Sequence, residues 1–352
     1  MKEAVFGIGI VGAGVIARVH AEVIGRIEQA RLVAVCSPKP ESAQRFAEQF
    51  NCAWYSDLLA MLRNPDIHIV VLCTPSGLHG EQAILCAEAG KHILTEKPID
   101  IGWQQAINMI SSCRSHNVKL AVVSQHRFQP DVIRAKSLID ANRLGSIIAA
   151  NASMNWYRTQ EYYDSASWRG TWEWDGGGAL MNQGIHTVDL LQYLAGSVHS
   201  VYAQCRTAAH ERIAVEDVAA LTLQYKHGAI GTLFASTGCY PGLQSRIEIF
   251  GQNGTIILEN NVMTGLHLKD QTEDEQFNGT SSAELMSSTP ALAVSDMHLA
   301  QYMDLIEAIV HDRAPSIHGG EGVQPLAIVL AAYQSAKCGH SVQVDEIGTV
   351  PM

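Results

Sequence analysis

The chain has 352 residues, 47% of them hydrophobic and 17% charged, with a formal net charge of −11. That balance is globular, and the length suits about two domains. The negative charge argues against general affinity for nucleic acid or an anionic membrane surface, and no apolar run reaches the ~18 residues of a membrane span.

The first apolar stretch, AVFGIGIVGAGVIA, has the length of a signal-peptide core. Its glycine spacing favours a dinucleotide turn instead. Apolar runs at 5–12, 31–36, 67–73, 92–96 and 118–123 alternate with amphipathic stretches such as PESAQRFAEQF and GEQAILCAEAG. Near-continuous Val/Ile/Leu runs separated by helices predict a parallel, doubly wound sheet, here over residues 1–124. Gly12-Ala13-Gly14-Val15-Ile16-Ala17 spells G-x-G-x-x-A between the first strand and the first helix. Gly12 permits the tight turn, Gly14 lets the backbone approach a pyrophosphate, and the helix start offers free N–H groups. The second run ends at Ser37 rather than an acid, with Lys39 close behind. A 2′-phosphate meets no repulsion there, so the cofactor is NAD or NADP.

Two strand ends carry further candidates. Thr74, Pro75, Ser76 and His79 leave one run, and Glu96-Lys97-Pro98 leaves the next. A lysine fixed at a strand's carboxyl end and desolvated moves its pKa toward neutrality, which suits an acid/base.

From residue 125 to 352 the rhythm changes. Runs at 146–157, 200–208, 217–225, 229–236, 245–251 and 255–259 predict a large, mostly antiparallel open sheet. Helices from 176, from about 297 and from about 321 are expected to cover one face. The polar stretch 268–296 is expected to be a surface loop. In GGGALMNQGIHTVDLLQYLAG, Asn182, His186 and Asp189 share one helical face. Asparagine is a poor transition-metal ligand and no second histidine stands near, so no metal is expected. The chain lacks G-x-S-x-G, and its eight cysteines include no C-x-x-C pair. That points to free thiols in a reducing cytoplasm.

Taken in order, the dinucleotide turn, TPSGLH, EKP, QHRFQP at 125–130, RLGSI at 143–147, MNQGIHTVDLL, VEDVA at 215–219 and the final YQSAKCGHSVQV make the whole chain resemble the Gfo/Idh/MocA oxidoreductases. The stretch EYYDSASWRGTWEWDGGGALMNQGIHTVDLL is most similar to the branch acting at C3 of UDP-N-acetylglucosaminuronic acid. The resemblance implies a Rossmann domain followed by an α/β domain whose open sheet makes homodimer or homotetramer contacts. It also implies hydride transfer between nicotinamide and a secondary hydroxyl of a sugar, inositol or nucleotide-sugar. Lys97 matches the EKP lysine, and His186 matches the histidine that closes the family's D-x-x-x-H helix. Asn182 stands where many members carry the aspartate, and an amide cannot titrate.

Asn182 and His186 are expected to line a cleft opposite Lys97, with Lys97 the favoured base and His186 the alternative. Asp189 is expected to orient His186 or to satisfy backbone. The cofactor is expected against Gly12, Ala13, Gly14, Val15 and Ile16, and against Ser37 and Lys39. It is also expected beside Thr74, Pro75, Ser76, His79, Glu96 and Lys97, with Trp168 and Arg169 close by. Substrate is expected at Lys97, Arg127, Asn155, Tyr157 and Tyr163, together with Arg169, Asn182, Gln183 and His186. Arg158 and Arg169 suit a carboxylate grip, while Arg127 and Arg158 serve equally as interdomain ion pairs. A sensor without turnover, or an oxidoreductase that never releases its cofactor, is the alternative on the same fold.

Overall fold

The computed structural model describes residues 5–270 and 292–348. Strands β1 (Phe6–Val11), β2 (Ala30–Cys36), β3 (Ala53–Tyr55), β4 (Ile69–Leu72), β5 (His92–Thr95) and β6 (Leu120–Val122) pair in parallel, in the order β3-β2-β1-β4-β5-β6. Helices α1 (Val15–Ile24), α2 (Pro40–Phe50), α3 (Leu58–Leu62), α4 (His79–Glu88) and α5 (Trp103–Ser115) make the crossovers. β4 is buried along its whole length, as its unbroken apolar run predicts. β3 escapes the sequence pattern because it is a three-residue edge strand with Ala53 and Trp54 exposed. The strand order reverses between β1 and β4. Their carboxyl ends therefore form the switch point at which open α/β sheets bind ligands.

The second sheet has eight strands: β7 (Ile147–Asn155), β8 (Val198–Arg206), β9 (Val218–Tyr225), β10 (Ile230–Ser236), β11 (Arg246–Gly251), β12 (Gly254–Glu259), β13 (Val262–Leu268) and β14 (Val342–Gln343). Its order is β13-β12-β11-β7-β10-β9-β8-β14. Neighbours are antiparallel except β7 and β10, which run parallel with Ser236 beside Asn155. Alternate residues of β9 are buried, so one face of the sheet is core and the other is open. Helices α6 (Pro130–Asp140), α7 (Gln160–Asp164) and α8 (Ile185–Ala195) belong to the same unit. α8 packs on β7 and β11, and it is entered through a π-helical turn, Ala179–Gly184.

Two further helices follow, α9 (Leu292–Val310) and α10 (Gly319–Cys338). The loop expected at 268–296 is thus helical from Leu292 onward, and Leu268 closes β13; residues 271–291 lie outside the described residues. The sequence pattern also predicts one contiguous second domain from 125, but the compact units divide differently. The unit with the parallel sheet runs through Gln125 and regains a later segment ending at Val323, while the other starts at His126 and resumes at Gln324. α9 packs on α1, where Tyr302, Leu305 and Ile306 share a core with Ile8, Ile10 and Leu94. No described helix is long and apolar enough to cross a membrane.

Candidate active site

The glycine turn is built as its spacing requires. Gly12 has φ +106, and a Cβ there would stand 2.5 Å from the Cys73 carbonyl oxygen. Gly14 is the N-cap of α1 and offers no side-chain cap; nothing lies within 4 Å of where its Cβ would be. Gly14 and Val15 are exposed, Ala13 and Ile16 half-buried, and Ala17 fully buried against the sheet. Uncapped N–H groups beside an open glycine fit a dinucleotide pyrophosphate. Ser37 is buried at the end of β2, its hydroxyl accepting the Lys39 N–H at 3.3 Å, and Lys39 is exposed.

The two neighbouring strand ends are tied together from beneath. His79 is fully buried, with Nδ1 2.9 Å from the Pro98 carbonyl and Nε2 3.0 Å from the Thr74 carbonyl. Burial lowers its pKa, against the pull of those carbonyls. His79 therefore braces the two loops against each other. Thr74 and Pro75 are half-buried and Ser76 is buried; the Thr74 hydroxyl donates to Gln82 at 2.7 Å.

Glu96 is tied down in the same way. Its carboxylate turns inward, Oε1 3.0 Å from His20 Nε2 and Oε2 accepting the Lys97 N–H at 3.1 Å, while Tyr302 Oη lies 2.9 Å from His20 Nδ1. Burial pushes the Glu96 pKa up, but the hydrogen bond and charge of His20 outweigh it and bring it to about 2. Between Ile93 and Asp100, Lys97 alone is not buried.

In the second unit the apolar helix opens at one stripe. From Asp175 to Leu191 the only residues not buried are Asn182, Gln183 and His186. Asn182 donates its amide to Asp175 and accepts from Gln183 Nε2 at 2.7 Å. Asp175 is buried and also takes the Gly170 N–H at 2.9 Å. A carboxylate thus stands directly behind the asparagine. Gln183 accepts from Arg158 at 2.9 Å and donates to the Tyr162 hydroxyl at 2.9 Å. Arg169 donates to that same hydroxyl at 2.5 Å. Both guanidiniums lie over the Tyr162 ring, 5.2 and 4.4 Å from its centre, with Trp156 beside Arg158 and Trp168 beside Arg169. The Nε of each arginine is buried and without a hydrogen-bond partner. The His186 ring meets the edge of His126 with centroids 4.7 Å apart.

The other residues expected at substrate have surroundings of their own. Arg127 is buried and forms a two-pronged pair with Asp189, Nε–Oδ2 2.9 Å and Nη2–Oδ1 2.6 Å. It ties the short turn Gln125–Phe128 to Asp189 of α8. Tyr163 is buried, its hydroxyl 2.8 Å from Thr237 Oγ1 and its pKa pushed by burial to about 12. Its neighbour Tyr162 is the ring that meets Arg158, Arg169 and Gln183, a residue that sequence reasoning missed, as it missed Asp175. Tyr157 is exposed with its ring edge-on to Tyr240, and Asn155 is half-buried at the end of β7.

A glycine turn and an uncapped helix at the switch point of a parallel sheet define a dinucleotide-binding fold. Family models agree: residues 6–124 match the NAD-binding Rossmann fold of an oxidoreductase family, and residues 136–344 match its C-terminal alpha/beta domain. The WlbA dehydrogenase from Bordetella pertussis, solved with NADH and UDP-GlcNAcA, is 34% identical, with 99% of each chain covered and a TM-score of 0.87. The myo-inositol 2-dehydrogenase of Thermotoga maritima is 25% identical over 97% of this chain and 99% of its own length. The levoglucosan dehydrogenase of Pseudarthrobacter phenanthrenivorans is 25% identical over 97% and 98%. The chain belongs to the Gfo/Idh/MocA oxidoreductase family. It is an NAD(P)-dependent enzyme.

Proposed function

We propose that the protein is a dehydrogenase that oxidises a secondary hydroxyl of a nucleotide-sugar bearing a carboxylate, with Lys97 and His186 as its acid/base pair. Bound NAD(P) supplies the hydride acceptor. The observation that carries the reading is the pair Arg158 and Arg169. Both lie over one phenol ring beside Asn182 and Gln183, each keeps a buried Nε without a partner, and no described carboxylate pairs with either. Two unneutralised guanidiniums on one wall suit a carboxylate or phosphate far better than a neutral polyol. The likeness to a WlbA dehydrogenase solved with UDP-GlcNAcA points the same way. Asn182, fixed by Asp175 and Gln183, is suited to orient a substrate hydroxyl. His186, on the same stripe, has an imidazole suited to proton exchange near neutral pH. A sensor without turnover finds no support in relatives named as dehydrogenases.

The test is turnover with NAD and NADP against UDP-GlcNAcA, UDP-GlcNAc and free inositols. Arg158→Met and Arg169→Met are expected to raise KM for the acidic sugar by about 10–100-fold each, the size of a lost charged hydrogen-bond pair. Equal turnover of the acid and its neutral counterpart, unchanged in both variants, refutes the reading.

We further propose that the open face of the second sheet pairs with another copy of the chain. Tyr202 and Ile230 are 38% and 65% exposed there. They flank a groove over Asn151, Thr222 and Thr232 that carries no acid, lysine or histidine. Ile230→Asp is expected to sediment as a lower oligomer than wild type; a monomeric wild type removes the proposal.

A further inference from the structure

Glu216, in the VEDVA stretch just before β9, is almost wholly buried. Three consecutive backbone N–H groups end on it. Gly178 donates to Oε2 at 2.9 Å, Leu180 to Oε1 at 2.8 Å, and Ala179 to the Glu216 carbonyl at 2.9 Å. The Tyr333 hydroxyl of α10 donates to Oε1 at 2.9 Å. The same contacts explain the glycines ahead of the π-helical turn. A Cβ on Gly178 would stand 1.8 Å from the Glu216 carbonyl oxygen, and one on Gly177 would stand 2.0 Å from Tyr333 Oη. Trp172 meets the Tyr333 ring edge-on, with centroids 5.2 Å apart. The first N–H groups of a helical segment have no partner within it. Here a residue far along the chain supplies the acceptors.

We infer that Glu216 is a positioning residue, whose carboxylate fixes the start of the turn that presents Asn182, Gln183 and His186. Gly178 and Leu180 each aim an N–H at one of its two oxygens, and a carboxylate accepts both. An amide in its place accepts from one and turns its NH2 toward the other, while the Tyr333 hydroxyl can donate or accept. Burial pushes the Glu216 pKa up to about 7, against the pull of the Leu180 N–H, the Tyr333 hydroxyl and the Gly178 N–H. The titratable groups facing it are Tyr333 and Cys205 of β8, both pushed upward by burial, Cys205 to about 12. Neither carries charge near neutrality. Asp217 turns the other way, onto the N–H groups of Ala208, Ala209 and His210. A carboxyl whose pKa is higher in the closed turn than in the opened one holds its proton more tightly when the turn is closed, so the turn is firmest at low pH and loses that part of its stability as pH rises toward about 7.

The test is hydrogen–deuterium exchange of the NAD-bound protein, read on peptides covering residues 176–190 and corrected for intrinsic rates, between about pH 6 and pH 8.5. Wild-type protection is expected to fall as pH rises toward about 7 and to level off above it. Glu216→Gln is expected to exchange there at least about tenfold faster at pH 8, without that pH dependence, while peptides of β1 and α1 stay unchanged. Tyr333→Phe keeps both backbone contacts but removes a donor to the charged form, so its fall is expected to extend to higher pH. Constant or rising wild-type protection across the range overturns the inference, as does wild-type protection in Glu216→Gln at pH 8. If Glu216→Gln does not fold, an unmoved profile in Tyr333→Phe does so.

The consequence for catalysis rests on the reading that this stripe holds substrate. With UDP-GlcNAcA, Glu216→Gln is expected to raise KM about tenfold at pH 8 and leave kcat within about threefold. If that sugar is not turned over, the proposed substrate fails while the exchange data still decide on Glu216.

Discussion

Replacing Lys97 by Met is expected to lower the single-turnover rate of hydride transfer by about 10²–10⁴-fold, the range that positioned acid/base groups supply. Lys97 is the one residue from Ile93 to Asp100 that the fold leaves unburied. Everything around it is fixed: Glu96 accepts its N–H, His79 ties Pro98 to Thr74, and Asp100 takes the N–H groups of Gly80 and Gly102. Methionine keeps the length and removes the proton acceptor, so NAD affinity is expected to stay within a few-fold of wild type. On the proposed assignment His186→Asn is expected to cost less, since His186 there assists Lys97 and does not itself take the proton. The measurement is nicotinamide absorbance in stopped flow with enzyme in excess. A Lys97→Met rate close to wild type, with His186→Asn severely slowed, moves the base to His186.

Arg127→Ala is expected to destabilise the protein by about 3–5 kcal/mol, because it leaves the Asp189 carboxylate buried and uncompensated. The pair is two-pronged, its side chains are each only 5% exposed, and the Arg127 guanidinium lies 4.5 Å from the Tyr193 ring centre. For a unit of this size the melting temperature is expected to fall by on the order of 10 °C. The double variant Arg127→Met with Asp189→Leu is expected to recover most of that loss, since an apolar pair removes both buried charges. A melting temperature unchanged in Arg127→Ala, with KM raised, returns Arg127 to the substrate site.

These two residues show what sequence makes legible. The place of Lys97 is readable because a lysine between an apolar run and a proline stands at a strand end, where α/β sheets open to ligands. Arg127 is not, because nothing in QHRFQP says whether a cation meets substrate or a carboxylate 62 residues away. Tyr162 and Tyr163 differ by one position on a short helix, and periodicity over five residues does not tell which side faces the core. The parallel sheet is legible from its buried strands, except β3, whose exposed residues give no apolar signal. The parallel pairing of β7 with β10 is a matter of chain routing and leaves no mark on either strand. Asn182 looks like a lost acid in the sequence. In three dimensions its amide leans on Asp175, seven residues earlier, in a glycine-rich turn that no helical template aligns.

The return of α9 to the first unit limits how this enzyme can be taken apart. A gene fragment ending near Gln125 would encode every strand of the parallel sheet and still leave an apolar wound along α1, where Tyr302, Leu305 and Ile306 belong. His20 would lose the Tyr302 hydroxyl that backs its bond to Glu96, so the damage would reach the residue next to Lys97. The cofactor half is thus not a contiguous cassette. Any chimera that exchanges it with a relative has to carry two pieces of chain, and recombination within the gene is constrained at both.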